Sequence, residues 1–232
     1  SSLASMIANA APWTTTLKRA YLRDFREDSL WEVYGSTELS VVTALAPADQ
    51  LRKPGSCGVA APGVEVKLID DDGHEVTEPG VPGELYARSA ALFETYHNAH
   101  DRYMDDHRDG FQTVGDIAYR DEDDYFYICD RKKDMIITGG VNVYPAEVEN
   151  VLDAHPGVVE VAVIGLPDEE WGEAVCAVVV PEGELEPDAL LRFAAEHLSG
   201  PKRPKQVIMV DDLPKTGTGK VLKRELRQRV VS

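Results

Sequence analysis

Two short turns in the first half of the chain carry residue types that can bind a nucleotide. Residues 34–38 read Tyr-Gly-Ser-Thr-Glu and follow a short apolar stretch at residues 31–34. Backbone N–H groups in a turn after a strand can face a phosphate, and the Glu38 carboxylate offers the hard oxygen that Mg²⁺ prefers. The second turn contains Gly115 and Asp116. A carboxylate there can accept hydrogen bonds from both hydroxyls of a ribose.

A glycine-rich segment near the end of the chain resembles a nucleotide P-loop only superficially. Residues 214–220 read Pro-Lys-Thr-Gly-Thr-Gly-Lys. A P-loop requires glycine where Pro214 stands and serine or threonine where Val221 stands. The glycines on either side of Thr218 allow the loop to move. A lone lysine is usually a surface charge, so Lys220 gains significance only from the motif around it.

The elements that position these residues follow from periodicity and turn signals. Residues 1–30 predict a helix that leads into a strand at 31–34. Between residues 54 and 128, glycine and proline recur and short alternating runs appear, which predicts a small, barrel-like β unit of hairpins. Beyond a charged run at residues 130–134, strands and helices alternate. The predicted elements there are helices at 145–152, 187–198 and 220–230, and strands at 158–166, 174–180 and around Ile208.

Composition limits the function classes. The 232 residues are 43% hydrophobic, which suits one or two globular domains, and the apolar runs are too short to cross a bilayer. The net charge of −17 argues against bulk nucleic-acid binding. Basic residues concentrate from Lys202 onward; a solvated basic helix is the preferred interpretation, and a local attraction for phosphate is the alternative. Three cysteines without metal-ligand spacing, and no secretory signal, predict a reduced, cytoplasmic protein.

Histidines and aspartates between residues 97 and 107 suggest a metal cluster at first sight. They are His97, His100, Asp105, Asp106 and His107. Their spacing matches no zinc signature, so we do not predict a metal site there. The sequence also contains no Ser-His-Asp or Cys-His arrangement that spacing supports.

Four motifs in one order resemble the adenylate-forming enzymes, the superfamily of acyl-CoA synthetases, peptide-synthetase adenylation domains and luciferases. They are YGSTE at 34–38, VGD at 114–116, DRKKDMIITGG at 130–140 and PKTGTGK at 214–220. Asn-Ala-Ala-Pro at 9–12 is similar to the adenine loop of the family. The resemblance implies an α/β and α+β fold. Residues 1–129 would be the C-terminal remnant of the large domain, with a β subdomain at 54–129. A hinge at 130–134 and a small mobile domain at 135–232 would follow.

The resemblance also implies a role for each matching residue. Catalysis falls to Thr37, Glu38 and Lys220, with Glu38 as the Mg²⁺ ligand. Asp116 and Arg131 would bind the ribose, Tyr34 and Ile128 the adenine, Gly139 and Gly140 the pantetheine arm of CoA, and Lys133 would be the pivot. The full set of implied nucleotide and CoA contacts is Tyr34, Gly35, Ser36, Thr37, Asp116, Ile128, Arg131, Gly139, Gly140 and Lys220.

The implied activity is ATP-dependent acid–CoA ligation through an acyl-adenylate. The apolar character of Leu39, Val41 and Val42 favours a fatty or other apolar acid. The partners are the acid, ATP and CoA, with self-association as an open question. The phosphate loop expected upstream of the matched region is not among these residues, so the polypeptide alone is predicted to have little ligase activity. Two alternatives stay open: an adenylation domain that loads a carrier protein, and a non-catalytic module that binds a nucleotide or a partner.

Overall fold

The computed structural model describes residues 3–9, 13, 15–217 and 219–231, without the side chain of Arg102. The chain forms two compact units, Ser1–Cys129 and Asp130–Ser232. The second unit begins at the first residue of the charged run. The hinge and domain roles of these segments stay predictions. Residues 10–12 of the predicted adenine loop at 9–12, and Thr218 in the glycine-rich segment, lie outside the described residues.

The first sheet of the first unit carries the hairpin with the YGSTE motif. Its strand order is β1-β2-β3-β4, with β1 parallel to β2 and the other pairs antiparallel. The bounds are β1 Met6–Ala8, α1 Thr15–Asp24, β2 Leu30–Ser36, β3 Ser40–Leu45 and β4 Val59–Ala60. The helix predicted over residues 1–30 is therefore wrong in extent. Pairing with β2 holds residues 6–8 in a strand, because sheet hydrogen bonds outweigh a weak helical propensity.

Helix α1 is fixed to this sheet by a buried ion pair between Lys18 and Glu32. The same Glu32 carboxylate accepts a hydrogen bond from the backbone N–H of Trp13, at 3.1 Å. Tyr21 and Leu30 form a small apolar cluster beside the pair. Since an unpaired buried charge is costly, these contacts set the position of α1 on β2.

The second sheet of the first unit supplies Asp116. Its order is β5-β6-β8-β7, and β9 also pairs with β8. The bounds are β5 Glu65–Ile69, β6 Gly83–Arg88, α2 His100–Asp105, β7 His107–Arg108, β8 Phe111–Arg120 and β9 Phe126–Arg131. Strands β5 and β6 fall in the region where the alternating runs predicted hairpins. The short helix α2 was not predicted, because the sequence analysis gave this stretch only hairpins.

One apolar cluster joins the two sheets of the first unit. Leu39 and Val42, from the β2–β3 hairpin, pack with Leu68, Leu85 and Phe126. Both Leu39 and Val42 are fully buried, whereas Val41 is 43% exposed. Fully burying one such side chain contributes about 1.5–3 kcal/mol. Leu39 and Val42 are therefore core residues, and Val41 is the exposed member of the three apolar residues that favour an apolar acid.

The second unit is an α+β fold around a mixed sheet. The strand order is β11-β10-β13-β12, and β14 pairs in parallel with β13. The bounds are β10 Ile136–Thr138, β11 Val141–Val143, α3 Pro145–Asp153, β12 Val158–Asp168, β13 Gly172–Pro181, α4 Pro187–His197, β14 Gln206–Met209 and α5 Lys223–Val231. These elements match the predicted order, and the α/β and α+β fold class is confirmed.

The long strands β12 and β13 are apolar on both faces, which explains their continuous apolar runs. Val163 and Val175 face a cluster with α3 and α4, while Ile164 and Cys176 face a cluster that includes Leu226 of α5. Side chains of a strand alternate between faces, so helices on both sides require apolar residues at every position. In the described part of the chain, no helix has the length and apolar character needed to cross a membrane.

Helix α5 begins at Lys223 and not at Lys220 as predicted. Residues before it form a narrow loop with an antiparallel bridge between Lys215 and Val221. The backbone N–H of Leu222 donates to the carbonyl of Pro214 at 2.8 Å, and that of Thr216 donates to the carbonyl of Lys220 at 2.8 Å. These bonds replace the first helical turn, so Lys220 lies on a hairpin-like loop. We call residues 214–222 the lysine loop.

Candidate active site

The YGSTE motif forms the end of strand β2 and the tip of the β2–β3 hairpin. Gly35 and Ser36 remain paired with Val41 and Ser40, and the turn covers residues 37–39. The turn therefore begins at Thr37, later than the sequence analysis placed it. The backbone N–H of Leu39 donates to Ser36 Oγ at 3.1 Å. Because Leu39 is anchored in the core, Thr37 is held at an exposed position on the tip.

Gly35 is required by a close backbone approach within this hairpin. A Cβ atom at this position would collide with the carbonyl oxygen of Ser40. The strand register shifts between Tyr34 and Gly35, which brings the two strands together here. Glycine thus lets the backbone of the motif pass close to its partner strand.

A hydrogen bond joins the first two motifs. Tyr34 Oη donates to Asp116 Oδ2 at 2.7 Å, across 82 positions of sequence. Asp116 is 8% exposed. Tyr34, Val114 and Ile128 all pack against the same apolar cluster. The structure therefore brings together three residues that the sequence analysis assigned to adenine and ribose: Tyr34, Asp116 and Ile128.

Glu38 is held by a loop that follows strand β6. Tyr96 Oη donates to Glu38 Oε1 at 2.9 Å, and the backbone N–H of Phe93 donates to the Glu38 carbonyl at 3.0 Å. The rings of Phe93 and Tyr96 meet edge to face with centroids 4.8 Å apart. A half-buried carboxylate with a fixed orientation is the donor type that suits Mg²⁺. The residues at this position therefore fit a magnesium ion. The sequence analysis did not assign the supporting role of Tyr96.

The glycine pair of the third motif forms the turn between β10 and β11. Gly139 and Gly140 both have positive φ, 57° and 77°. The backbone N–H of Gly139 donates to the carbonyl of Trp171 at 2.9 Å. A Cβ at Gly139 would lie 2.6 Å from the Trp171 ring. Glycine is needed at 139 both for its backbone conformation and for the space that the indole occupies.

Arg131 and Lys220 line one cavity in the second unit. The cavity has a volume of about 280 Å³, and the carboxylates of Asp130, Asp134 and Glu149 also border it. Lys220 is exposed and Arg131 is half-buried. Two residues that lie 89 positions apart in the sequence thus border the same cavity within this unit. Thr37, Glu38, Tyr34 and Asp116 lie in the first unit.

The cysteines do not supply a nucleophile at two of their three positions. Burial raises the pKa of the Cys57 thiol to about 11 and that of the Cys176 thiol to about 11. Both thiols are therefore protonated at neutral pH, and the thiolate is the reactive form. All three cysteines are thiols.

Within the described residues, the acidic and histidine side chains close enough to share an ion are Asp70, Asp72 and His74, in an exposed turn. Asp70 Oδ1 there accepts hydrogen bonds from the backbone N–H groups of Asp72 and His74. That pattern is an ordinary aspartate-stabilised turn.

Family models match both units of the chain. The model for AMP-binding enzymes matches residues 1–97, and the model for the AMP-binding enzyme C-terminal domain matches residues 147–220. The chain belongs to the AMP-binding, adenylate-forming enzymes. The family predicted from the four motifs is thereby confirmed.

The relatives of this AMP-binding chain include several CoA ligases. It is 43% identical over 204 residues to an indoleacetate–CoA ligase of Aromatoleum aromaticum. This alignment covers 87% of the chain and 40% of that protein. It is 45% identical over 203 residues to a long-chain-fatty-acid–CoA ligase of Yersinia pestis, covering 87% of the chain and 36% of that protein. The chain thus spans well under half the length of these relatives.

A solved structure shows the same fold at moderate identity. The o-succinylbenzoate CoA synthetase of Bacillus subtilis, in complex with its acyl-adenylate intermediate, superposes with a TM-score of 0.88 at 30% identity. The match covers 97% of this AMP-binding chain and 46% of that protein.

Proposed function

We propose that this chain forms the nucleotide-binding and CoA-facing part of an ATP-dependent acid–CoA ligase. The observation that supports the proposal most is the Tyr34–Asp116 hydrogen bond, which brings the YGSTE and VGD motifs together at 2.7 Å. Tyrosine beside a buried carboxylate offers a ring for a base and an acceptor for sugar hydroxyls. The CoA-ligase names of the relatives support the same conclusion.

In the first half-reaction, a carboxylate oxygen of the acid attacks the α-phosphorus of ATP. The bond from the α-phosphorus to the oxygen that bridges to the β-phosphate breaks, and pyrophosphate leaves with the electron pair. Two anions must meet, so donors and cations aimed at the developing charge lower the barrier. We assign Thr37 to the α-phosphate, Asp116 and Arg131 to the ribose, and Tyr34 and Ile128 to the adenine. Lys220 balances the charge in the transition state.

Glu38 would hold Mg²⁺, with its carboxylate oriented by Tyr96. When bound, the ion supplies charge neutralisation for the phosphates. The contribution of the chain is a fixed carboxylate orientation. The Tyr96 hydroxyl donates to Glu38 Oε1 at 2.9 Å, and the Phe93 N–H donates to the Glu38 carbonyl at 3.0 Å. A carboxylate that is itself hydrogen-bonded loses less rotational freedom on binding a cation.

In the second half-reaction, the sulfur of CoA attacks the activated carbonyl carbon. The bond from that carbon to the AMP oxygen breaks, AMP leaves, and the thiol proton passes to solvent. We assign the exposed Gly139–Gly140 turn to the pantetheine arm, because the lack of side chains lets a narrow ligand pass close to the backbone. The run at 130–134 acts as the hinge between the half-reactions, with Lys133 as the pivot.

The proposed acid is apolar. The relatives are named for indoleacetate and long-chain fatty acids, both of which join a carboxylate to an apolar body. In the described structure, the hairpin after the YGSTE tip exposes 43% of Val41, while Leu39 and Val42 are fully buried. Val41 is therefore the residue of this trio that can contact the acid.

Two measurements test the proposal. Calorimetry with AMP on the 232-residue chain should detect binding that Asp116→Asn weakens. The chain alone should produce little thioester with ATP, Mg²⁺, CoA and a panel of acids. A fusion to the segment of the Yersinia relative that precedes the matched region should form the thioester with an apolar acid. Robust thioester from the chain alone would contradict its predicted inactivity. AMP binding with an inactive fusion would instead support a non-catalytic nucleotide-binding module.

A further inference from the structure

Lys223 is a charged residue of the second unit to which no role has yet been given. It is the first residue of α5 and directly follows the lysine loop. Its Nζ lies 2.8 Å from Glu149 Oε1 and 3.8 Å from Asp130 Oδ2. The side chain is 14% exposed, compared with 10% for Asp130 and 23% for Glu149. The ammonium group is thus enclosed between two carboxylates.

Both carboxylates are fixed by the backbone of this unit. Asp130 Oδ1 accepts from the N–H of Arg131 at 2.7 Å, and Oδ2 accepts from the N–H of Ala146 at 2.9 Å. Ala146 is in the first turn of α3, where backbone N–H groups have no helical partner. Glu149 Oε1 accepts from the N–H of Val163 at 2.7 Å, on strand β12. Neither carboxylate can follow Lys223 if the lysine moves.

Lys223 therefore links three backbone segments to the lysine loop. Through Asp130 it reaches the start of the charged run, and through Glu149 it reaches α3 and β12. Lys220 lies three positions before it and lines the same cavity, together with Arg131. The remaining charged group at this cavity, Asp134, is 3.5 Å from Arg227 Nη1, one turn further along α5. The two contacts together seat the N-terminal half of α5 against the charged run.

We propose that Lys223 is a positioning residue: it sets the place of the lysine loop, and hence of Lys220, relative to the start of the charged run. The proposal rests on the proposed function, in which Lys220 acts in adenylate formation. A loop whose C-terminal end is tied to the unit by an ion pair explores fewer positions than one tied only by its own hydrogen bonds. Losing this tie spreads Lys220 over several positions, and small misplacements of a catalytic group are costly.

Hydrogen exchange on the 232-residue chain tests the positioning directly. In Lys223→Met, amides in peptides covering 130–138 and 214–222 should exchange roughly tenfold faster, because local opening needs fewer broken contacts. Lys223→Arg keeps the charge and should restore exchange to within about threefold of the starting chain. The matched control is Arg224→Met, which removes the exposed charge next to Lys223 on the same helix and should change neither peptide. Equal exchange in Lys223→Met and Arg224→Met would overturn the proposal.

A second variant covers the case in which Lys223→Met does not fold. Glu149→Gln keeps an oxygen that can accept from Val163 and removes only the charge that faces Lys223. It should accelerate exchange of the 214–222 peptide by about threefold. An unchanged peptide in folded Glu149→Gln, combined with an unfolded Lys223→Met, counts against positioning and in favour of a purely structural role.

The fusion with the Yersinia relative adds a functional readout. Lys223→Met should lower kcat for pyrophosphate exchange by about 10–100-fold, with KM for ATP within about threefold, since Lys220 acts on the transition state. Lys223→Arg should recover most of this loss. If hydrogen exchange accelerates in Lys223→Met but kcat is unchanged, the positioning role is overturned while the ligase proposal stands. If the unmodified fusion forms no adenylate, the proposed function fails. Hydrogen exchange then still tests whether Lys223 restrains the lysine loop.

Discussion

Two nearly buried aspartates, one in each unit, connect distant segments in different ways. Asp116 is 8% exposed, and its carboxylate accepts the hydroxyl of Tyr34, a residue of the YGSTE motif. The Asp130 side chain is 10% exposed and accepts two backbone N–H groups of its own unit, with the Lys223 ammonium alongside. The Asp116 carboxylate contacts a side chain of a motif, and the Asp130 carboxylate contacts backbone N–H groups.

This difference distinguishes the carboxylate that we propose binds the ribose from one that we expect to be structural. Backbone N–H groups that lose their acceptor stay buried and unsatisfied, which is costly for the fold. A tyrosine hydroxyl at the rim of a site can turn to solvent or ligand when its acceptor changes. We therefore expect substitutions at Asp130 to act mainly on stability and those at Asp116 mainly on nucleotide binding.

The largest effect is expected from Asp130→Ala. It removes the acceptor of the Arg131 and Ala146 N–H groups and leaves Lys223 with one partner, so the free energy of unfolding of the second unit should fall by about 3 kcal/mol. Urea unfolding followed by Trp171 fluorescence measures it, in a background where Trp13 and Trp31 are phenylalanine. A loss below about 1 kcal/mol would show that other groups satisfy this backbone and would remove the contrast with Asp116.

The opposite pattern is expected from Asp116→Asn. The amide keeps the shape and an oxygen acceptor for Tyr34, but a neutral group binds ribose hydroxyls less well than a carboxylate. AMP affinity should fall by about 10–100-fold, while the melting temperature changes by less than about 2 °C. Asp124→Asn is the control, because it alters an exposed pair with Arg120 in the neighbouring turn. A large loss of stability with unchanged affinity would place Asp116 with Asp130 as a structural residue.

Much of the fold could be predicted from the sequence because local signals agree with the tertiary structure. Proline at the first position and early acids predicted α3 and α4, and continuous apolar runs predicted β12 and β13. The prediction failed where sheet pairing decides. Residues 6–8 are a strand because β2 pairs with them, and the first turn of the predicted last helix is instead the lysine loop, closed by the Lys215–Val221 bridge.

The candidate site was predictable only as far as its motifs extend. Tyr34 and Asp116 were named from two motifs, but their contact spans 82 positions, and no local spacing indicates it. Tyr96 and Lys223 were not given roles, because a single tyrosine in a loop and a lysine at the start of a basic helix are ordinary residues by type. The significance of Tyr96 comes from a partner 58 positions away, and that of Lys223 comes from Asp130 and Glu149 on two other segments.

A smaller effect is expected from Tyr34→Phe. This variant tests the contrast between Asp116 and Asp130 by removing the hydrogen-bond donor to Asp116. The Asp116 carboxylate would lose a donor at 2.7 Å, so stability should fall by about 1 kcal/mol. AMP affinity should fall by only about threefold, since the aromatic ring remains. Thermal unfolding and AMP calorimetry measure both effects, with Tyr96→Phe as a matched hydroxyl deletion. If Tyr34→Phe is as harmful to AMP binding as Asp116→Asn, the hydroxyl itself is part of the ribose site.

The smallest effect is expected on the pH dependence of stability at Asp121 of the first unit. Like Asp130, this carboxylate accepts two backbone N–H groups and lies beside a lysine ammonium. Asp121 accepts the backbone N–H groups of Asp123 and Tyr125, both at 3.0 Å, and the Lys53 ammonium at 2.7 Å. Burial alone would raise the pKa of Asp121, but the hydrogen bonds from Lys53 and the backbone outweigh it and lower the pKa below its usual value.

A lowered pKa in the folded state means that the ionised carboxylate stabilises the fold above its unfolded pKa of about 3.9, and that this stabilisation is lost as pH falls through the folded value. The melting temperature of the first unit should therefore drop between pH 6 and pH 3, and it should drop about 2 °C less in Lys53→Met, which lacks the ion pairs of the ammonium with Asp121 and Asp123. Lys67→Met is the control, because Lys67 forms an exposed ion pair with Glu75. Among the described contacts, the Glu75 carboxylate accepts no hydrogen bond from a backbone N–H group. Parallel pH profiles for Lys53→Met and the unmodified chain would show that the backbone N–H groups alone hold Asp121. In that case the Lys53 ammonium would not be needed to fix the Asp121 carboxylate. By analogy, Lys223 would contribute less to fixing the Asp130 carboxylate.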